Sequence, residues 1–470
     1  MNSNNTIPGA ISQPSRLFED DVACQNRKPS ASTEPAESTS PRLRYAQRQQ
    51  HEFRDVVLDG LLPADHQVRL VWDYVCQLDL TALLQKIRAV AGAPGRDATD
   101  PRILFCLWLY ATLEGVGSAR QLERLCEEHL AFMWVCGGVS VNYHLLSDFR
   151  VEHEAFLDQL LTHSVAVLRQ EGLVDMERVA QDGMRVRASA GASSFRRRGK
   201  LTAALQEAKD QVQRLKKELQ EDSGAGTRQR QAAQERAAKE RVERLEHALE
   251  ELAKVEQAVE KRGKESKEKA RASMTDPEAR KMKMADGGFR PAYNAQLATD
   301  TQSRLIVGVD VTNQGSDGGQ MGPMLDQLHQ RHEQPPKEYL VDGGFASRED
   351  INYAATEHGT QVFAPVREKE KKEKAGKDPF APLPGDKPAV AEWRQRMGTP
   401  QAQELYHLRS STAEWSNAQA RNRGLYQVRV RGLAKVRTVL LWYALVHNWV
   451  QGQALRRARA EAEENRAGQE

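Results

Sequence analysis

Cysteine is scarce in this chain: five in 470 residues, an odd number, with no Cys-x-x-Cys pair. That excludes a disulfide framework and points to a reducing compartment, the cytoplasm. Long apolar runs are missing too. The longest, Ile103–Ala111, has nine residues, against about twenty needed to cross a bilayer, so no membrane association is expected. The opening residues Met1–Asn5 lack the basic-then-apolar pattern of a secretory signal, and none is expected. Neither sign of charge dominates. Lys and Arg number 68 against 65 Asp and Glu, a formal +3, so the bulk charge selects no partner and only its local placement can. No period of roughly 20–50 residues recurs, which excludes solenoids and propellers.

What is present divides the chain. Its length suggests about three globular units. Residues 1–50 are rich in Ser, Pro, Asn, Gln and Thr and bury too little apolar area to offset their ordering entropy, so a disordered tail is expected. Over 51–175 apolar residues recur at helical spacing: Leu70, Val71, Tyr74, Val75 and Leu78 on one face, Ile103, Leu104, Leu107 and Trp108 on another. Ser118 caps a further helix and the Gly137-Gly138 turn precedes one near Asn142. An all-helical domain is expected there. Between 200 and 270 proline and aromatics vanish, and Leu201, Leu205, Ala208, Val212, Leu215 and Leu219 form a heptad seam. It breaks at Asp222–Gly226 and resumes through Val242, Leu245, Leu249, Leu252, Val255 and Val259. This predicts an antiparallel coiled-coil hairpin inserted between strands.

The strands are Arg178–Ala188, with Asp182 near its middle; Tyr293–Thr299 and Arg304–Val311, joined as a hairpin; Tyr339–Gly344, containing Asp342; and Gln361–Val366. Helices are expected over about 319–332, from Ser347, and over roughly 410–422 and 433–453. A charged, proline-containing stretch at 367–400 reads as a linker excursion, and 454–470 as a charged tail. The order suits an α/β fold: a five-stranded mixed sheet covered by helices.

Three acids stand out by context: Asp182, Asp342 beside Gly343-Gly344, and Glu414 on a helix after the last strand. Carboxylates brought together repel, which a divalent cation relieves. Magnesium suits such a set, binding through a few carboxylates and leaving positions for phosphate oxygens. The bland reading is that these are ordinary strand-end and surface acids. Cys106, Cys126, Cys136, His129 and His144 lack paired ligand spacing and read as core residues. Trp415 reads as packing rather than as a base-stacking platform.

From about Phe53 to Val450 the chain resembles bacterial insertion-sequence transposases of the DDE class. The resemblance is carried by Leu62–His66, Leu107–Tyr110, Asn142–Arg150, Asp182–Ala188, Asp276–Lys283, Gly287–Gln296 and Val341–Ser347. It implies a ribonuclease-H-like core over 176–453, interrupted by 200–270 and 367–400, behind a helical domain that recognises DNA ends. It further implies Asp182, Asp342 and Glu414 as catalytic metal ligands for Mg2+, with Mn2+ as its substitute. Cleavage and strand transfer at terminal inverted repeats, then joining to target DNA, are implied as well, with a homodimer in the active assembly and a nucleoid-associated location.

The family's C-terminal signature is Tyr-x2-Arg-x3-Glu-x6-Lys. Here Tyr406 and Arg409 are followed by four residues before Glu414, and Arg421 stands in place of the lysine. In a continuous α-helix the extra residue turns Arg409 by about 100° relative to Glu414, which leaves Glu404 as the alternative third acid. Arg185, Arg187, Arg196, Arg197, Arg198, Tyr406, Arg409 and Arg421 are the expected DNA contacts, with Arg423, Arg429, Arg431, Lys435 and Arg437 in the same basic run. The rival readings are a ribonuclease-H-like nuclease without strand transfer and a catalytically inactive DNA-binding descendant.

Overall fold

In the computed structural model, residues 57–87, 89, 97–221, 225–262 and 267–468 are described. The stretch 1–50, expected to be a tail, lies outside them. The helical region comprises α1 (Gln67–Gln77), α2 (Thr81–Leu84), α3 (Pro101–Leu113), α4 (Ala119–Glu128), α5 (Leu130–Cys136), α6 (Tyr143–Glu152) and α7 (Glu154–Gln170). Local chemistry sets their starts. Asp100 accepts from the Arg102 N–H with Pro101 in the first turn of α3, Ser118 caps α4, and Asn142 accepts from Leu145 N–H to cap α6. The apolar run Ile103–Ala111 is buried on every side of α3. It is a core helix. Among the described residues no helix is long and apolar enough to cross a membrane.

This helical region does not keep a core of its own. Its buried residues are continuous with one face of the sheet and with the C-terminal helix Leu433–Ala467. Trp108 Nε1 donates to the Leu146 carbonyl (2.8 Å), Trp442 Nε1 to the Arg150 carbonyl (3.0 Å), and the Arg150 guanidinium lies over the Trp108 ring at 4.4 Å. Removing a buried indole of this kind costs about 3–5 kcal/mol. Residues 56–470 accordingly form one compact unit.

The sheet is built from β1 (Arg178–Arg187), and, after the hairpin, β4 to β8. Next to β1 the short pair β2 (Phe195–Arg196) and β3 (Ala272–Ser273) closes the root of α8 (Arg198–Glu221) and α9 (Ala225–Arg262). Leu201, Ala208, Leu245, Ala248 and Leu252 are buried between these two helices. The buried Glu251, paired along α9 with Lys254, ties the hairpin to the sheet through Arg280. Then come β4 (Arg280–Lys283), β5 (Phe289–Asp300), β6 (Ile306–Thr312), α10 (Met321–His332), β7 (Glu338–Leu340), α11 (Arg348–His358) and β8 (Gln361–Phe363). The order is β4-β5-β1-β7-β8, with β6 also on β5. β5 is antiparallel to β1, β4 and β6; β7 is parallel to β1 and β8.

Three features differ from their sequence reading. The sheet has six strands, not the five expected, because β4 is short and charged and gives no apolar alternation to read. The 367–400 excursion carries α12 (Lys369–Lys374) and α13 (Pro388–Met397), and α13 buries Val390, Trp393 and Arg394, the last bonded to Asp386. After it come α14 (Pro400–Arg409), α15 (Trp415–Asn422) and α16 (Leu433–Ala467). The residues read as a charged tail continue α16 through Ala467: with no proline or glycine from Gln453 to there, nothing local stops the helix. Asp276 and Glu278 explain one of the motifs. Asp276 accepts from Tyr293 Oη and Gly432 N–H, and Glu278 from Leu433 N–H, so both acids serve the start of α16.

Candidate active site

The site lies where the sheet opens. β1 pairs with β5 from Val179 to Arg187, but with β7 only over Arg178–Ala180; on that side it next meets Gln427, opposite Arg187. Asp182 sits in the gap. Because Ala180 is level with Leu340, two further residues on each parallel strand bring Asp182 level with Asp342. Asp342 ends the strand in a tight turn, its Oδ1 accepting from Gly344 N–H at 2.7 Å. A Cβ at Gly344 would stand 2.8 Å from that oxygen, so a larger residue there would displace the Asp342 carboxylate.

Burial pushes the Asp182 carboxyl up to about 6; the Asp342 and Asp317 charges add to the rise, while Arg409 and the Gly183 N–H oppose it. Its Oδ1 accepts from Gly183 N–H and its Oδ2 from Asn417 Nδ2, both at 2.9 Å. Burial also raises the Tyr406 phenol, which senses Arg409, Asp342 and Asp182.

The helix-borne part corrects one expectation. The extra residue does not turn Arg409 away from Glu414. Ser410–Glu414 form a single π turn between α14 and α15, and such a turn accommodates one additional residue without rotating the next stretch of helix. Arg409 Nη2 therefore donates to Glu414 Oε1 at 3.3 Å, while its Nη1 lies 3.9 Å from Asp182 Oδ1. Glu404 is exposed on α14, five α-helical residues and thus about 140° from Arg409. Among the described residues no group of three His, Cys, Asp or Glu is close enough to hold a metal ion; Glu414 faces Arg409 instead of the two aspartates. The oxygen set still suits a divalent cation. Asp182 within β1 and Asp342 just past β7 repel, and the buried Asn417 Oδ1 has no hydrogen-bond partner among the described residues.

Sequence reasoning missed the opposite face of β1. There Tyr339 Oη donates to Gln181 Oε1, Gln181 Nε2 to Gln296 Oε1, and Gln296 Nε2 to Asp317 Oδ1. Asn294 Nδ2 also donates to Asp317 Oδ1 (2.7 Å), and Arg185 Nη2 pairs with Asp317 Oδ2 (3.3 Å). This chain of bonds fixes β1 against β5 and β7 and so sets Asp182 beside Asp342. Its available signals were glutamines inside apolar strands and the Gly315–Gly318 turn.

The cations separate into groups. Arg185, Arg187 and Arg421 line one cavity of about 690 Å³ reaching Gly183. Arg196, Arg197 and Arg198 lie at the hairpin root, where Arg198 pairs with Glu256. Arg437 is a structural clamp, bonded to Glu154 and Asp158. Trp415 packs against His447 and under Arg304.

Comparison with known proteins bears on this geometry. Residues 259–449 match the Transposase DDE domain and residues 56–152 the Transposase domain (DUF772). Together the two matches support an insertion-sequence DDE transposase. The transposase is thus an enzyme acting on DNA, in a family that uses divalent metal ions, and its mixed sheet with flanking helices is the ribonuclease-H-like core. The DDE match begins near the end of α9, so it spans Asp342 and Glu414 but not Asp182, whose place rests on the strand register. No curated protein matches the transposase.

Proposed function

We propose that Asp182, Asp342 and Glu414 hold the divalent ions, Mg2+ or Mn2+, at the cleaved phosphodiester. The supporting observation is Arg409, whose guanidinium reaches both Asp182 and Glu414 across the π turn and so draws helix and strand into one site. Bound metal would stabilise the attacking and leaving oxygens of an in-line displacement at phosphorus. The chain's own groups do the positioning. Asn417 orients the Asp182 carboxylate, Arg409 and Tyr406 hold the phosphate, and Arg185, Arg187 and Arg421 track the backbone, with Arg196, Arg197 and Arg198 meeting DNA nearer the hairpin. A water oxygen bonds to phosphorus, its proton leaves, and the 3′-oxygen departs with a proton as a hydroxyl. That hydroxyl then attacks target DNA. The helical region would read the terminal inverted repeats, and a homodimer would pair the two ends. The reading carries with it a nucleoid-associated, cytoplasmic location.

Glu414→Gln preserves shape and removes one charge. Nicking of duplex carrying the element's ends should fall by about 10²–10³-fold, with metal-free DNA binding nearly unchanged, whereas Glu404→Gln should nick normally. The reverse pattern would transfer the third-ligand role to Glu404. The orientation of Glu414 toward Arg409 favours one second reading, an inactive DNA-binding descendant. End binding without nicking in either Mg2+ or Mn2+ would establish it.

A further inference from the structure

We propose that the cavity on the Gly183–Arg187 face of β1 is a site for an unpaired stretch of DNA one or two nucleotides long, its phosphates held by arginine and lysine and a base stacked on Tyr426. This rests on the proposed action on DNA and narrows it to a strand separated from its complement.

Four observations carry it. First, the cavity runs along β1 just past Asp182, walled by Arg185 and Arg187, by the β4–β5 hairpin at Lys283–Asp286, and by Tyr426 beside the bridge at Arg187. Gly183, next to Asp182, forms part of its wall. Second, its volume of about 690 Å³ matches a body the size of a small ligand, about one or two nucleotides. Third, its charge is one-sided. Arg187, Lys283 and Arg421 line it without an ion pair to any described residue; Arg185 and Arg290 are held in place by Asp317 and Asp286. Such cations bind phosphate oxygens, and those already anchored lose little freedom in doing so.

The fourth is Tyr426. It is 56% exposed, and its hydroxyl makes no hydrogen bond with a described residue. Its backbone, however, is tied to β1: Arg187 N–H donates to the Tyr426 carbonyl at 3.0 Å, and Val428 N–H donates to the Arg187 carbonyl at 2.9 Å. An aromatic face is thus presented from a fixed backbone at the rim of a basic cavity. Phe289 pairs opposite Lys283 on the β4–β5 hairpin and is 68% exposed, so a second ring stands on the lysine's side of that ladder. Cations along a groove with exposed aromatic faces are the chemistry of single-strand binding, because only an unpaired base offers its flat face.

The test uses the full chain with EDTA, so that nothing is cut. Fluorescein-labelled duplexes of arbitrary sequence are blunt or carry a four-thymidine tail, on the 5′ or the 3′ strand in separate probes. One tail should raise affinity roughly tenfold. Tyr426→Phe should keep that gain and Tyr426→Leu should reduce it below about threefold. A 2-aminopurine in the tail should be quenched on binding wild type but not Tyr426→Leu. Lys283→Ala should make the salt slope for the tailed probe shallower by about 0.7. Equal affinity for blunt and tailed probes, or a gain that survives Tyr426→Leu, overturns the proposal and leaves duplex binding intact. Failure to bind either probe overturns the DNA reading itself.

Discussion

The two halves of the site are built by different physics. Asp182 stands on a central strand, its side chain 18% exposed, with hydrogen bonds to both oxygens and a buried polar network behind it. Glu414 stands on a π turn, its side chain 60% exposed, with Arg409 as its bonded partner. Around Asp182 β1 is laddered to β5 on one side and held on the other by β7 just before it and the Gln427 bridge just after, so it cannot move one residue without moving the ladder. A side chain at a helical irregularity can change rotamer alone. The strand half is therefore pre-set, and on the proposed metal-binding role the helix half is where the site would adjust.

The sharpest way to break this contrast is Gly183→Ala, which should have the largest effect. A Cβ there would lie 2.1 Å from Asp317 Oδ1, 2.7 Å from Gln296 Nε2 and 2.8 Å from Asn294 Oδ1. All three atoms belong to the buried network, so none can yield cheaply. Overpacking and lost hydrogen bonds should cost about 2–4 kcal/mol in urea unfolding. Displacing Asp182 by even an ångström should lower nicking about a hundredfold. A variant as stable and active as wild type would mean that the strand half is as adaptable as the helix half.

A second measurement separates function from stability at Asp182. Its native carboxyl titrates near 6, above the ordinary 3.8, so without divalent cations the native state holds the proton more tightly than the unfolded chain. That contribution is complete below about pH 4 and is lost as pH rises through 6. Asp182→Asn escapes the loss. In EDTA its stability relative to wild type should climb between pH 4 and pH 7 to a gain on the order of 2–3 kcal/mol, although nicking is abolished. The buried His332 and His447, lowered to about 4 by desolvation, act with the opposite sign but are common to both proteins and cancel in the difference. A flat difference across this range would remove burial as the source of the shift.

The same contrast explains what was legible in the sequence. Asp182, Asp342 and the heptads could be read because strand alternation, paired glycines and seven-residue periodicity are local signals. The nine-residue apolar run could be read as core because it was too short for a membrane. Asp317 could not be read, because its partners come from β1 and β5 and meet only after the sheet assembles. Nor could the shared core of Trp108, Arg150 and Trp442, which joins distant segments. The α13 helix was hidden by a charged, proline-bearing composition, although Pro388 occupies the first turn, where its missing N–H costs nothing. At Arg409 and Glu414 the residues were legible but not their facing: their spacing gives the same sequence signal whether the helix continues as α or widens to π.

That ambiguity supplies the test with the smallest expected effect. If the π turn is simply where the helix stores one additional residue, deleting an exposed residue within it should restore a continuous α-helix from Pro400 onward. Ser411 is the residue to remove, since it is exposed and its hydroxyl bonds only to the Leu408 carbonyl; Thr412 is buried and should be kept. The acid then stands four positions after Arg409 instead of five, still on the same face, and α15 keeps its register, so Asn417 stays on Asp182. Stability should change by less than about 1 kcal/mol, Mn2+ affinity should be preserved, and nicking should remain within roughly threefold of wild type. Inserting an alanine after Ser411 instead swings Glu414 by about 100° and should abolish both. A deletion that folds but loses Mn2+ binding would show that the wide turn is itself a working part: the slack it leaves at Glu414, and not merely the register it preserves, would then be what allows the carboxylate to leave Arg409 for the metal.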